Sequence, residues 1–590
     1  MNPQNKNNLT QAVRRVRIWY GLLLLVVVIF GLRLFYVQVI NYGHYKTAAL
    51  SDQLKQYQIP ATRGIIKAHD GDAVVPIVLN QQLYTLYADP VYIKNADQVA
   101  AKIVPIIGGQ ATDYAQLMRA KGTRYVVLAK KLTTDQRTKI AALKFPGLGT
   151  QAQDYRTYPQ GNLASQVLGF VSNDGTGEYG VEQALNKRLE GTPGQLKAIT
   201  DVNGVPLAAS KDNTDVQPKN GDNLVLTIDL AMQQQLETIL AQGTKNAKAD
   251  GASALIMDPN TGAVKAMANY PTYDPAQYAK VGDPTVFQNA AVASPIEVGS
   301  IMKTLTTSAA LDQGVIQPNT TYYDPASWTV DGFKITNIEE DGGPGKRSIA
   351  DLLNLSLNTG ATWELMQMGG GQINTKARDA WHDYMVNHFM LGKATGIEQG
   401  YEATGSVPEP ADNGAGIDLT YANTAFGQAM TATPLQMGAA LSAVLNGGTY
   451  YQPHLVDQTI DADGKSTYTK PKVVKQHVVS PQVGQAMIPL MEYVVQHHNI
   501  TPAFDQNTYA VGGKTGTAQI AKQGGGYHED EFNGTYIGFV GGDKVQYVIV
   551  VFVDRPKNGG YAGTAAAQPI FAGLAHMLIN NSYVTPKSGN

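Results

Sequence analysis

Residues 294–316 read SPIEVGSIMKTLTTSAALDQGVI, with Ser300 and Lys303 three positions apart just before a run, Thr304 to Leu311, that lacks Gly and Pro. Apolar Leu305 and Leu311 among Ala309 and Ala310 predict a helix there. A helical spacing of three puts both side chains on one face. A serine hydroxyl is a weak nucleophile until a neighbouring base takes its proton, and a lysine amine held neutral by burial or by a second cation can be that base. The chain contains one S-x-x-K, this one. A surface serine beside a solvated lysine looks the same in a tetrapeptide, so the reading depends on what else the chain supplies.

The chain has 590 residues, 43% hydrophobic and 16% charged, a length that suggests about three to four domains. A net charge of -2 leaves no electrostatic footprint for nucleic acid. Cysteine is absent, which excludes disulfides, thiol nucleophiles and cysteine-based metal sites together. The ten histidines form no H-E-x-x-H, and no metal is expected. His497 and His498 are neighbours, would diverge on a helix, and are expected at the surface.

Ile18 to Ile40, IWYGLLLLVVVIFGLRLFYVQVI, carries one charge, Arg33, and is long enough as a helix to cross a hydrocarbon core of about 30 Å. Trp19, Tyr20 and Tyr36 lie near its ends, and Lys6, Arg14, Arg15 and Arg17 precede it without an acidic residue. A cytoplasmic tail (1–17), a single transmembrane helix (18–40) and an exported remainder follow from the positive-inside rule. A cleaved signal peptide competes, but the run is long and no A-x-A-like site follows it.

The exported part divides by composition. Residues 41–220 mix short β-like runs with Gly and Pro punctuation and a helical stretch from Val181 to Leu189, an irregular α+β region. After the polar link KDNTDVQPKNGD, a strand passes into an amphipathic helix, which opens a second domain, 221–585. There GASALIMDPNTGAVKAMANYP reads as two strands around Pro259-Asn260-Thr261-Gly262, and YIGFVGGDKVQYVIVVFVDRP as two more around Gly541 and Gly542. The last of these is apolar over most of its length, as in a strand covered on both faces. A terminal helix follows from about Ala565 to Ile579. The fold class is α/β, multi-domain, with an extensively antiparallel sheet covered by helices.

Two further motifs supply partners for Ser300. GGKTGTAQI holds the chain's one K-T-G, with Thr515 and Thr517 on the same face of a strand edge, where hydroxyls suit a carboxylate, and Gly516 between them to let a substrate backbone approach. NLSLNTG supplies Ser356 and Asn358 as S-x-N, a weaker pattern that Ser588-Gly589-Asn590 repeats.

The ordered set of one S-x-x-K, an S-x-N and a late K-T-G resembles the penicillin-binding and serine β-lactamase superfamily. Glu297 to Lys303 is similar to that family's E-P-G-S-x-x-K, with Val298 in the place of proline. AFGQAMTATPLQMGAALSAVLNGG, Arg63-Gly64 in TRGIIKAHDGD, and the segment from Tyr155 to Gly194 resemble class B penicillin-binding proteins, although Ala68-His69 stand where Asp-Arg is common. Residues 41–220 then correspond to a pedestal, or dimerisation-type, domain. LYADPVYIKNADQVAAKIVPIIG and the C-terminal region look more like the septal, FtsI-type branch than the elongation branch.

The resemblance implies peptidoglycan D,D-transpeptidation. Ser300 would attack the carbonyl between two terminal D-alanines while Lys303 takes its proton; Ser356 would relay a proton to the leaving amine, with Lys514 keeping the field positive. Asn358 would bond the substrate amide, Thr515 and Thr517 the terminal carboxylate or its mimic in penicillin, and the backbone N–H groups of Ser300 and Thr517 would form the oxyanion hole. No cofactor is implied. The partners implied are stem peptides, β-lactams as inhibitors, a SEDS-type glycosyltransferase and other divisome membrane proteins. A β-lactamase, a β-lactam sensor, a bifunctional synthase and a non-enzymatic scaffold are the rivals. The large pedestal, the single predicted span, the lack of a paired-glutamate glycosyltransferase signature and the intact motifs argue against them in turn.

Overall fold

The computed structural model describes residues 4–43, 45, 54–199, 214–337, 343–410, 416–522 and 526–589. Helix α1 (Gln4–Phe35) continues through a wider turn to Ile40. Val13–Ile40 is one helix long and apolar enough to cross a membrane, with a mean hydropathy of 2.5, and its apolar side chains are exposed.

The chain forms two compact units, Met1–Thr62 with Gly191–Asn220, and Arg63–Glu190 with Gly221–Asn590. In the first, Gly194–Ile199 pairs antiparallel with both Leu54–Ile59 and Thr214–Val216. The sequence boundary near residue 220 is therefore where the chain re-enters the larger unit. In that unit Asn223–Asp229 lies parallel to Ile66–Asp70 and antiparallel to Val456–Ile460, so one sheet takes strands from both sides of the boundary. Ala68 is in its core, and His69 Nε2 sits 3.2 Å from Asp457 Oδ2, which is what the Ala-His pair does in place of Asp-Arg.

The predicted helix from Val181 to Leu189 is two short ones, Gly180–Ala184 and Asn186–Leu189, broken at Leu185. The Asn186 side chain accepts from the Gly177 N–H at 3.0 Å and from Arg63 at 2.7 Å, bonds that fix the backbone at the break. Arg63 and Arg156 close on the fully buried Glu182, with Nε–O distances of 2.9 and 3.0 Å.

The site rests on a five-stranded sheet: β1 (Gly251–Met257), β2 (Val264–Tyr270), β3 (Ala510–Ala521), β4 (Tyr527–Gly541) and β5 (Val545–Asp554), in the order β2-β1-β5-β4-β3 and antiparallel throughout. Because strand side chains alternate, β5 feeds two cores. Ile549, Val551 and Val553 pack with Leu236 and Leu240 of α2 (Leu230–Ala247), and with Phe571 and Leu574 of α7 (Gln568–Asn580). Val548 and Val550 face the core that holds α3 (Lys303–Asp312), α4 (Asn358–Met368), α5 (Pro434–Leu445) and α6 (Pro481–His497). Each fully buried side chain of this size stabilises by about 1.5–3 kcal/mol, so a strand buried on both faces fixes the register of its neighbours. The β3 strand is left at the edge.

Candidate active site

Ser300 lies in a tight turn, Gly299–Met302, that feeds α3, whose first residue is Lys303. Gly299 has φ +62°, and a Cβ there would sit 2.8 Å from the Thr517 carbonyl oxygen, so glycine lets the turn close on the edge of β3. Lys303 is fully buried, and its Nζ donates to Ser300 Oγ at 3.0 Å, Ser356 Oγ at 3.2 Å and Asn358 Oδ1 at 2.8 Å, and to the Ser356 carbonyl. Ser356 has φ +58°, a left-handed conformation that costs a residue with a Cβ about 1–2 kcal/mol. Its two oxygens meet Lys303 there, and Lys514 Nζ donates to its hydroxyl from β3 at 2.9 Å. One serine thus stands between two buried lysines. Asn358 also donates from Nδ2 to the Thr336 carbonyl at 3.2 Å, which leaves one of its N–H bonds for a ligand.

A cleft of about 480 Å³ opens over this cluster, with Ser300, Ser356, Asn358, Thr515 and Thr517 on its walls. Thr515 and Thr517 share the face expected of them, and Thr517 Oγ1 also accepts from the Gly563 N–H at 3.0 Å. Gly516 is also constrained from the side away from the cleft. A Cβ on it would point inward, 2.2 Å from Thr535 Oγ1 and 3.0 Å from the Val298 carbonyl, so the glycine also lets β3 pack on the Ser300 turn.

Phe426, Gln428, Phe532, Tyr561 and Thr564 are among the other residues on the walls, and no local pattern in the sequence marks them. His497 and His498 line the cleft too, and His498 departs from the surface position expected of it. Its Nε2 hydrogen donates to the Asn354 carbonyl at 3.0 Å, a contact across 144 residues that helical geometry alone does not disclose. Burial, and secondarily Lys514, hold its imidazole below the ordinary histidine pKa. Behind the site, both Glu364 oxygens lie 2.9–3.0 Å from the Thr307 hydroxyl, one turn below Lys303. Burial pushes the Glu364 carboxyl up to about 8, against the pull of Thr307 and Lys303. Among the described residues no group of three or more acidic or histidine side chains is placed to hold a metal.

A serine, two lysines and paired threonines on a sheet edge are the groups that a serine acyltransferase needs. Residues 252–576 match the model of the penicillin-binding protein transpeptidase domain, and residues 58–226 that of the penicillin-binding protein dimerisation domain. The chain belongs to the penicillin-binding protein family, with the class B domain pair.

Among its relatives, stage V sporulation protein D of Bacillus subtilis is 30% identical across 97% of this chain and 87% of its own length. Penicillin-binding protein PbpB of Mycobacterium tuberculosis is 29% identical, across 97% and 85%. Peptidoglycan D,D-transpeptidase FtsI of Escherichia coli K12 is 25% identical, across 90% and 86%. The crystal structure of penicillin binding protein 2X from Streptococcus thermophilus shares the fold, with a TM-score of 0.70 at 23% identity over 90% of this chain and 80% of that one. Penicillin binding protein 3 of Mycobacterium tuberculosis, complexed with aztreonam, has a TM-score of 0.66 at 25% identity over 89% and 97%.

Proposed function

We propose that this chain is a serine-type peptidoglycan D,D-transpeptidase that works through an acyl-serine intermediate. The observation that carries the reading is Lys303 Nζ at 3.0 Å from Ser300 Oγ, with Ser356 Oγ bridging to Lys514 at 2.9 Å.

Ser300 Oγ attacks the carbonyl carbon of the D-Ala-D-Ala peptide bond while neutral Lys303 accepts its proton. The developing oxyanion is met by the N–H groups of Ser300 and Thr517, a reading supported by the close approach of the Gly299 turn to the Thr517 backbone. Ser356 relays the proton to the nitrogen of the departing D-alanine as the C–N bond breaks, and Lys514 holds the local potential positive. Thr515 and Thr517 hold the terminal carboxylate, and Asn358 the stem-peptide amide. An amine of a second stem peptide then attacks the ester carbonyl, loses its proton to the same relay, and releases Ser300 with a new peptide cross-link. A β-lactam enters by the first step and stalls, since its leaving nitrogen stays tethered; the relatives solved with aztreonam and ampicillin support this susceptibility.

In this reading residues 1–17 are cytoplasmic, 18–40 span the membrane once, 41–220 form an extracytoplasmic pedestal and 221–585 carry the transpeptidase. The chain works in septal wall synthesis beside a SEDS-type glycosyltransferase and other divisome proteins. The basic tail before the apolar helix supports the orientation, and the FtsI-like segments support the septal role. A tagged copy is expected as a ring at midcell; a patchy side-wall pattern overturns the septal assignment.

Intact-protein mass spectrometry after penicillin treatment tests the chemistry. One adduct is expected, on Ser300, absent from folded Ser300→Ala and lasting minutes to hours once free drug is removed. Labelling that persists in Ser300→Ala sinks the assignment. Decay within about a second, a hydrolytic rate constant near 1 s⁻¹ at the low end of enzyme turnover, would make the protein a β-lactamase.

A further inference from the structure

We propose that His498 is a positioning residue of the acylation machinery, clamping the backbone that presents Ser356 to the two lysines. The inference rests on the transpeptidase reading and adds to it a residue outside the family motifs.

Ser356 sits in a left-handed conformation that its own sequence does not favour, two residues after Asn354 at the end of the helix Ile349–Asn354. Such a conformation persists when its surroundings over-determine it. The Ser356 N–H bonds the Leu353 carbonyl at 3.3 Å, and the Leu357 N–H the Leu352 carbonyl at 3.0 Å. His498, just past the C-terminus of α6, adds the hold from outside the segment by donating its Nε2 hydrogen to the Asn354 carbonyl. A carbonyl can only accept, so the ring is the Nε2–H tautomer when neutral, with Nδ1 buried and the Gln568 side chain against the ring. Buried in this way, Nδ1 is not a base for substrate protons; the part of the ring that acts is the clamp. Gln568 fixes the ring's backbone by donating to the His498 carbonyl at 3.2 Å.

The clamp carries a pH dependence. The groups around the ring are Lys514 on β3, His497 on its own helix and uncharged Gln568 on α7. On the helix Ile349–Asn354 the one acid is Asp351, engaged with Ser348 at 2.7 and 2.9 Å. Protonating Nδ1 adds a cation beside Lys514. Burial and Lys514 hold the ring neutral at pH 7, so this charge arrives as pH falls below the ordinary histidine range and disturbs the field in which Ser356 relays its proton.

The test is the second-order rate constant for acylation by a fluorescent penicillin, measured on the full chain in detergent from pH 5.5 to 8. His498→Ala is expected to acylate about tenfold more slowly at pH 7.5, the worth of one net hydrogen bond. His498→Asn can donate the same bond without titrating. It is expected within about threefold of the parent at pH 7.5, with its rate relative to the parent rising as pH falls to 5.5. A His498→Ala protein that acylates at the parent rate, or an Asn-to-parent ratio that stays flat with pH, overturns the proposal. If His498→Ala does not fold, the Asn ratio decides. A parent protein that is never acylated overturns the transpeptidase reading itself, and the clamp with it.

Discussion

Two clusters of buried cations in the larger unit solve opposite problems. Around Glu182, two arginines close on one carboxylate and share its charge, with Asn80 and Asn186 taking further N–H groups at 2.7 Å each. Around Ser356, two lysines meet a hydroxyl, and one of them, Lys303, also meets the nucleophile. Arginine keeps its proton in a protein, whereas a buried lysine can give its proton up. The first cluster is thus a fixed joint and the second a place where a proton can move. Burial alone does not mark a catalytic group; the chemistry of what the cation touches does.

The contrast can be broken at either end. Lys303→Ala is expected to lower the acylation rate by about 10²- to 10⁴-fold, the range for a positioned general base, with the thermal transition of the folded protein preserved. Near-normal acylation would move the base elsewhere, Lys514 being first in line. Glu182→Gln should do the reverse: it leaves two buried guanidiniums without their carboxylate and costs about 3–5 kcal/mol in denaturant unfolding, with acylation per folded molecule unchanged. If it slowed acylation while leaving stability intact, the division between joint and relay would fail.

Gly516→Ala sharpens the same line at smaller scale. Its methyl group would have to displace Thr535 and the Val298 carbonyl, a strain of about 1–3 kcal/mol. A variant of unchanged stability would leave Gly516 only the substrate-facing role that its place in K-T-G suggests. The last test, of Glu364, is read in the pH dependence of stability. Its native carboxyl keeps its proton to about pH 8 while the unfolded one loses it near 4.3. The native state therefore binds more protons between those values, and stability falls as pH rises through that window. Glu364→Gln removes the dependence, so its stability relative to the parent should be greater at pH 8 than at pH 5. A constant difference across that range would mean that Glu364 titrates normally.

The parts of the site legible in the sequence were those set by short spacing and alternation. Ser300 and Lys303 share one turn, and Thr515 and Thr517 share one strand face, so local geometry was enough. The β-hairpin at Pro259–Gly262 and the doubly buried β5 were legible for the same reason. What failed was set by partners far along the chain. His498 looked like a surface residue because a helix says nothing about a carbonyl 144 positions away. The packing constraint on Gly516 was hidden in the same way, since nothing in GGKTGTAQI reveals that Thr535 and Val298 press on its other side. The sheet joining Ile66–Asp70 to Asn223–Asp229 has no local signature at all.

That sheet also sets a timetable. Ile66–Asp70 leaves the ribosome about 150 residues before its parallel partner Asn223–Asp229, and longer still before Val456–Ile460, the next strand beyond it. At about 5–20 residues per second, the early strand waits roughly 8–30 s for its first neighbour across that gap. Pairings this distant in sequence are slow to form even when both strands are present. The strand can use its antiparallel hairpin with Ala73–Ala88 in the meantime, which keeps one of its two edges occupied. The other edge stays open until the polypeptide has passed residue 229, and a nascent chain at that stage is one that a holding chaperone would have reason to bind.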